Sequence, residues 1–140
     1  MLTLVGVDGH NEPGVRRVGH QSAPKVRNFL GSSDVLVLPS VRTRTFREPW
    51  GLVANEAMHQ SIPVIASDQT GVAAGGLVRH ERNGLVVAAG DADALTGALR
   101  RLADDAGLRQ TLGAQARADV AAYTFDAWAQ GMTRAIAEAC

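Results

Sequence analysis

Residues 33–67 read SDVLVLPSVRTRTFREPWGLVANEAMHQSIPVIAS, and this pattern decides the fold. Two short apolar runs, 35–38 and 63–66, bracket a polar loop and a helix-like stretch. Neither run alternates apolar with polar residues, which suits strands covered on both faces of a sheet. Pro39-Ser40 ends the first run, and the loop after it extends to about Pro49. Residues 51–60 have helical spacing, with Leu52, Val53, Ala57 and Met58 supplying the buried side. Pro63 opens the second run, a position where proline costs a strand little. Glu48 and Glu56 stand near the loop's end and near the helix's end, eight positions apart (56 − 48).

Towards the N-terminus, residues 2–7 read as a buried strand that Asp8-Gly9 turns. Pro13 and Gly14 break the chain again, and 15–18 form a second short strand closed by Gly19. The interval is too short for a crossover helix, so a parallel pair here lacks the usual connection. Ser22 and Pro24 mark a helix start, Val26, Phe29 and Leu30 share one face, and Gly31 ends it.

Towards the C-terminus, 68–76 is a Gly- and Ala-rich loop, with a helical turn expected at Gly76-Leu77-Val78. Asn83-Gly84 suits positive φ in a turn, and 85–87 is the last strand. Asp91 caps a helix carrying Leu95, Ala98, Leu99 and Leu102. A second helix starts near Asp104 or Asp105 with a stripe of Leu108, Leu112, Ala116 and Val120. Thr124 caps a third, with Phe125, Trp128, Met132 and Ile136 on one face. All three stripes read as core. Strands alternating with helices predict an α/β, Rossmann-like domain with a parallel sheet and flanking helices. In such sheets ligands bind outside the carboxyl ends of the strands, where the loops after Leu38 and Ala66 leave.

At 140 residues the chain is one domain by default, with length enough for a core. Its formal net charge is zero, so nothing global points to nucleic acid or an anionic membrane. Residues 1–50 hold seven basic against four acidic side chains, including Arg42, Arg44 and Arg47 in the loop. Two readings fit these arginines equally: solvated loop charges, or an attraction for an anionic ligand. Cys140 is the only cysteine, which excludes a disulfide framework and suits a reducing, cytoplasmic setting. No signal-peptide pattern follows Met1, and no apolar run has the ~20 residues of a transmembrane helix.

The step from Glu48 to Gly51 reads as a helix entrance. Pro49 lacks a donor and suits a first turn, and Gly51 lets a ligand approach the backbone. Free amides of Trp50, Gly51, Leu52 and Val53 would make a site for a phosphate or diphosphate. Carboxylates such as Glu48 and Glu56 hold pairs of sugar or ribose hydroxyls well. The plainer alternative makes Glu48 a solvated charge favoured by the helix dipole, and Glu56 a solvated helix residue. His10, His20, His59 and His80 have no metal-ligand spacing. No G-x-S-x-G elbow, P-loop or dinucleotide fingerprint is present.

These residues resemble the donor-binding half of the family 4, or group 1, retaining glycosyltransferases. The resemblance rests on Pro39-Ser40, then Glu48 and Glu56 with seven residues between them, then Glu56-Ala57-Met58 and the run 63–67. Further matches are 83–87, Gly90-Asp91 and Tyr123-Thr124-Phe125, and the whole covers roughly 19–138. It implies one half of a GT-B fold. It implies that Glu48 lies at the reacting centre on the transferred sugar, as the catalytic residue. Pro49, Trp50, Gly51 and Leu52 would meet sugar and diphosphate, Glu56 would hold the ribose, and Gly19, His20 and Ser22 would rim the nucleoside pocket. The implied donor is a nucleotide diphosphate sugar, with no cofactor and no metal, and a hexose passing to an acceptor with retention. The implied partners are that donor and a separate acceptor domain or chain, with peripheral membrane association of the full enzyme.

The departures from the family pattern bear on activity. The acceptor domain is missing, as are the opening strand and the loop whose Arg and Lys grip the diphosphate. Ser61 stands where glycine is usual, and Gly76 where an acidic residue is common. The expectation is therefore an N-terminally incomplete donor domain, 1–140, inactive as this chain alone, in which Arg42, Arg44 or Arg47 could replace the missing cations. The alternatives are a degenerate, non-catalytic binding or interaction module, and an unrelated α/β binding protein sharing only the layout.

Overall fold

The computed structural model describes residues 1–45 and 48–139. Arg47 therefore lies outside the described residues, as does Cys140. The strands are parallel and flanked by helices, the α/β class expected from the sequence. The chain divides into two compact units, 1–33 and 34–140.

In the first unit, β1 (Leu2–Val5) and β2 (Val15–Val18) form a two-stranded sheet, and α1 (Ala23–Gly31) follows. The strands pair in parallel, from Leu2 opposite Val15 to Val5 opposite Val18, with no helix in the connection. β1 is shorter than expected because Gly6 takes φ +80°, outside the extended region. Ser22 precedes α1 in extended conformation, but its side chain makes no capping hydrogen bond. The fixed φ of Pro24 in the first turn serves that helix start instead.

In the second unit, β3 (Leu36–Leu38), β4 (Val64–Ser67) and β5 (Gly84–Val87) form a parallel sheet in the order β3-β4-β5. β4 is central and buried along its whole length, as its apolar run predicts. β3 is only half-buried, against expectation, because it has one neighbour and lies at the sheet's edge. The helices are α2 (Leu52–His59), α3 (Gly71–Ala74), α4 (Ala92–Asp104), α5 (Ala106–Val120) and α6 (Phe125–Ala139). The helical turn expected at 76–78 forms earlier, as α3. Gly76 instead adopts φ +77°, which ends helical geometry.

Ile65, Leu85, Ala98, Leu102 and Leu112 form a buried core cluster, ringed by Val35, Val37, Val87, Leu95 and Leu108. The Asp91 and Asp105 carboxylates accept from the amides of Ala94 and Leu108, each at 2.8 Å, and so cap α4 and α5. The α2 residues Ala54, Ala57 and Met58 are buried on the side where α2 packs against α5. Gly113 makes part of that packing possible: a Cβ there would lie 2.1 Å from the carbonyl oxygen of Ser61.

The stripe of α6 is not core. Phe125 is 94%, Trp128 68% and Ile136 60% exposed, although Thr124 caps the helix as predicted, its Oγ1 accepting from Ala127 N–H at 3.1 Å. The turn before β5 is also built differently from its sequence reading. Glu81, not Asn83, has the positive φ, and Asn83 is buried. The Asn83 carboxamide accepts from Arg79 N–H and donates to the Leu77 carbonyl and to Asp119 of α5. Arg82 and Gln115 also donate to Asp119, and the Arg82 guanidinium foremost holds its carboxyl well below the ordinary carboxylate range.

Candidate functional site

All three strands of the second unit end on one side, so the loops after Leu38, Ser67 and Val87 gather there. The loop from Pro39 to Trp50 is tied to the start of the loop and helix after β4. Ser67 Oγ donates to the Ser40 carbonyl, Gln69 Oε1 accepts from Arg42 N–H at 2.8 Å, and Val72 N–H donates to the Trp50 carbonyl at 2.9 Å. Thr70 Oγ1 donates to the Ser67 carbonyl and stiffens the same corner. Gly71 is required by this packing, since a Cβ there would fall 1.9 Å from the Pro49 carbonyl oxygen.

The expected helix entrance starts one residue later than read. Gly51 is the N-cap of α2 and Leu52 its first residue, so Pro49 lies outside the helix. Gly51 has φ +95° and is buried. A Cβ there would meet Leu38 Cδ1 at 3.2 Å and Glu48 Cγ at 3.9 Å. Its absent side chain thus serves backbone conformation and packing against the protein. The amides of Trp50, Gly51, Leu52 and Val53 find no acceptor among the described residues. They are the unpaired donors at a helix start, where the dipole favours negative charge.

The Trp50 side chain points into the protein. Its Nε1–H donates to Asn55 Oδ1 at 2.8 Å, its ring is tilted against Tyr123 with centroids 6.0 Å apart, and its edge covers Gly75. This anchoring was not read from the sequence, which put only the Trp50 backbone to use. Glu48 is half-buried beside Gly51, and Glu56 is exposed on α2, one turn beyond exposed Leu52. The structure therefore gathers Glu48, Pro49, Trp50, Gly51 and Leu52 into one continuous corner. Gly19, His20 and Ser22 belong to the first unit, between β2 and α1. There the Asp8 carboxylate lies against Gly19, where a Cβ would come within 2.2 Å of its Oδ1. Arg42 and Arg44 are exposed.

A shallow hollow of about 170 Å³ opens at the same strand ends, lined by Pro39, Val41, Ser67, Val87, Asp91 and Leu95 among others. No expected site residue lines it. Its walls come from three separate loops, so no single stretch of sequence signalled it. Among the described residues no group of three or more His, Cys, Asp or Glu is placed to hold a metal ion. No helix among them is long and apolar enough to cross a membrane.

Comparison with known proteins gives this corner a context. The family model described as glycosyl transferases group 1 matches residues 10–119. An uncharacterized glycosyltransferase of Methanocaldococcus jannaschii, MJ1607, is 32% identical over 110 residues, covering 78% of this chain and 26% of that protein. The D-inositol 3-phosphate glycosyltransferase of Salinispora arenicola is 31% identical over 128 residues, covering 89% and 26%. Among solved structures, sucrose-phosphate synthase from Thermosynechococcus elongatus superposes with a TM-score of 0.73 at 34% identity, over 89% of this chain and 30% of that one. Anabaena HepE in complex with UDP-glucose superposes with a TM-score of 0.68 at 25% identity, over 89% and 32%. The chain spans about a quarter of the length of the curated relatives it matches, 26% in both cases given. With a family model covering most of its length, the chain belongs to the group 1 glycosyltransferases, of GT-B architecture.

Proposed function

We propose that this chain is the donor-binding part of a nucleotide-sugar-dependent glycosyltransferase. The observation that carries this reading is the corner from Glu48 to Val53. Four amides without an acceptor among the described residues meet the start of α2, and two carboxylates flank them. In this reading the diphosphate of the donor takes those amides, which also stabilise the negative charge that develops as it leaves. Glu48 contacts the hydroxyls of the transferred hexose at the reacting centre. Glu56 accepts hydrogen bonds from the ribose, and Gly19, His20 and Ser22 rim the nucleoside. HepE, at 25% identity, binds UDP-glucose, which supports a donor of this class.

Transfer with retention and without a metal follows in this proposal from the family resemblance. So does the need for an acceptor domain outside residues 1–140, which leaves this chain able to bind donor but not to transfer. Arg42 or Arg44 adds positive charge near the diphosphate, and the full enzyme works in the cytoplasm, at a membrane surface where its acceptor requires one.

Titration of the 140-residue chain with UDP-, GDP- and ADP-sugars tests the proposal. Saturable binding by one of them is expected. Glu56→Gln should weaken a ribonucleotide about tenfold or more and a 2′,3′-dideoxyribonucleotide hardly at all, because charge-assisted hydrogen bonds from the ribose hydroxyls are lost only in the first case. Absence of saturable binding by all three donors overturns it and leaves a non-catalytic interaction module.

A further inference from the structure

In the first unit β1 and β2 run parallel, so the chain leaves Val5 and Val18 on the same side, where a ligand of such a pair lies. Two glycines at positive φ, Gly6 at +80° and Gly9 at +140°, bracket Val7-Asp8. Gly6 N–H donates to the carbonyls of Val18 and Gly19, at 2.9 and 3.2 Å, and holds this segment to the end of β2. The Asp8 carboxylate lies beside Gly19: a Cβ there would be 2.2 Å from Oδ1 and 3.8 Å from Oδ2. Gly19 is not among the glycines at positive φ, so its missing side chain makes room for Asp8 and does not serve the backbone. Among the described residues nothing donates to that carboxylate or pairs with it. Arg17, whose side chain passes Gly9, is committed elsewhere: its Nη1 donates to the His10 carbonyl at 2.6 Å and pairs with Glu12 at 2.9 Å. The main-chain N–H groups of Gly19 and His20 likewise find no acceptor among the described residues. Two acceptor oxygens on one exposed carboxylate therefore stand beside free main-chain donors, all within residues 6–20.

Hydrogen-bond chemistry chooses between the possible bases. A carboxylate only accepts, and it holds best a pair of parallel N–H donors. Guanine presents such a pair, N1–H and the 2-amino group, next to the acceptor O6. Uracil sets its single N3–H between two carbonyls, which the carboxylate repels. Adenine sets its amino group beside an acceptor nitrogen, which it repels as well. We propose that Asp8 is a base-selecting residue and that it favours a guanine nucleotide, accepting from N1–H and the 2-amino group while a main-chain N–H of Gly19 or His20 donates to O6. The inference rests on the reading of Gly19, His20 and Ser22 as the nucleoside rim, and adds to that rim a side chain and a base. From the sequence, Asp8 reads only as a turn residue, because the approach to Gly19 is made across eleven positions (19 − 8).

Titration of the 140-residue chain with GDP, UDP, ADP and inosine diphosphate, which lacks only the 2-amino group of GDP, tests it. GDP should bind about tenfold or more tighter than each of the other three, the worth of a hydrogen bond to a charged group. Asp8→Asn should erase that preference. It should also improve binding of xanthosine diphosphate, whose C2 carbonyl accepts from the carboxamide where the guanine amino group donated. That gain cannot come from a damaged fold. Gly19→Ala, which drives a Cβ into Oδ1, should erase the preference in the same way. Equal affinity for GDP and UDP, or a GDP preference that survives Asp8→Asn, overturns the assignment and leaves Asp8 a solvated turn residue, while nucleotide binding stands. Absence of binding by every nucleotide overturns the nucleotide-sugar reading together with it.

Discussion

Helices α5 and α6 are each fifteen residues long, and each carries four apolar residues at helical spacing. They end differently. Leu112, Ala116 and Val120 of α5 are 0–2% exposed, against α2, α4 and β5, whereas Phe125, Trp128, Met132 and Ile136 of α6 are all exposed. Periodicity names the face a helix would bury, and says nothing of whether the fold provides a partner for it. The α5 stripe is the weaker of the two by eye, since Gly113 and Ala116 are small. Smallness lets α5 approach Ser61 and α2 closely, and that approach buries it.

The contrast is open to direct test. Leu112→Ala should be the most damaging change, costing about 2–5 kcal/mol in denaturant unfolding because it leaves a cavity in the core cluster. A cost below that of a surface substitution would mean α5 is not a core helix. Asp119→Ala should cost about 1–3 kcal/mol, since it removes an acceptor from buried Asn83 as well as from Arg82. This loss should depend on pH. The Asp119 carboxyl titrates below its ordinary value, so its contribution is complete above about pH 4 and fades as pH falls further. The stability gap between the two proteins, measured by unfolding from pH 6 to pH 2, should therefore narrow towards the acid end without closing.

Ser61→Gly should act in the other direction. Ser61 holds φ +60°, where a side chain is strained, and its carbonyl is what Gly113 approaches. A gain of about 1 kcal/mol is expected in thermal or denaturant unfolding, and a loss would mean that the Ser61 hydroxyl does more than the backbone requires. Ile136→Ala on α6 should change stability least, by about 0.5 kcal/mol or less, as for other exposed positions. A cost like that of Leu112→Ala would show that α6 is covered in solution.

The candidate site divides along similar lines. Glu48 through Leu52 is contiguous in sequence, so its gathering into one corner was legible from residue types alone. The caps Asp91 and Thr124 were legible for the same reason, since capping is a local bond between a side chain and an amide three residues on. The inward turn of Trp50 was not, because its partners are Asn55 on α2, Gly75 after α3 and Tyr123 in the turn between α5 and α6. The role of Asn83 was misread likewise. Its dipeptide Asn83-Gly84 suggested a positive φ, but burial beside Asp119 recruited its side chain and left the positive φ to Glu81.

By itself, then, the sequence determined what short-range chemistry controls. It specified the strands through apolar runs, most helix starts through caps and proline, and the Glu48–Glu56 motif through spacing. Only the tertiary structure decided which apolar stripe is buried, which strand lies at the sheet's edge, and why Gly71 and Gly113 have no side chain. Those outcomes depend on atoms that meet across long stretches of chain, such as Pro49 with Gly71 and Ser61 with Gly113, and no local pattern encodes such a meeting.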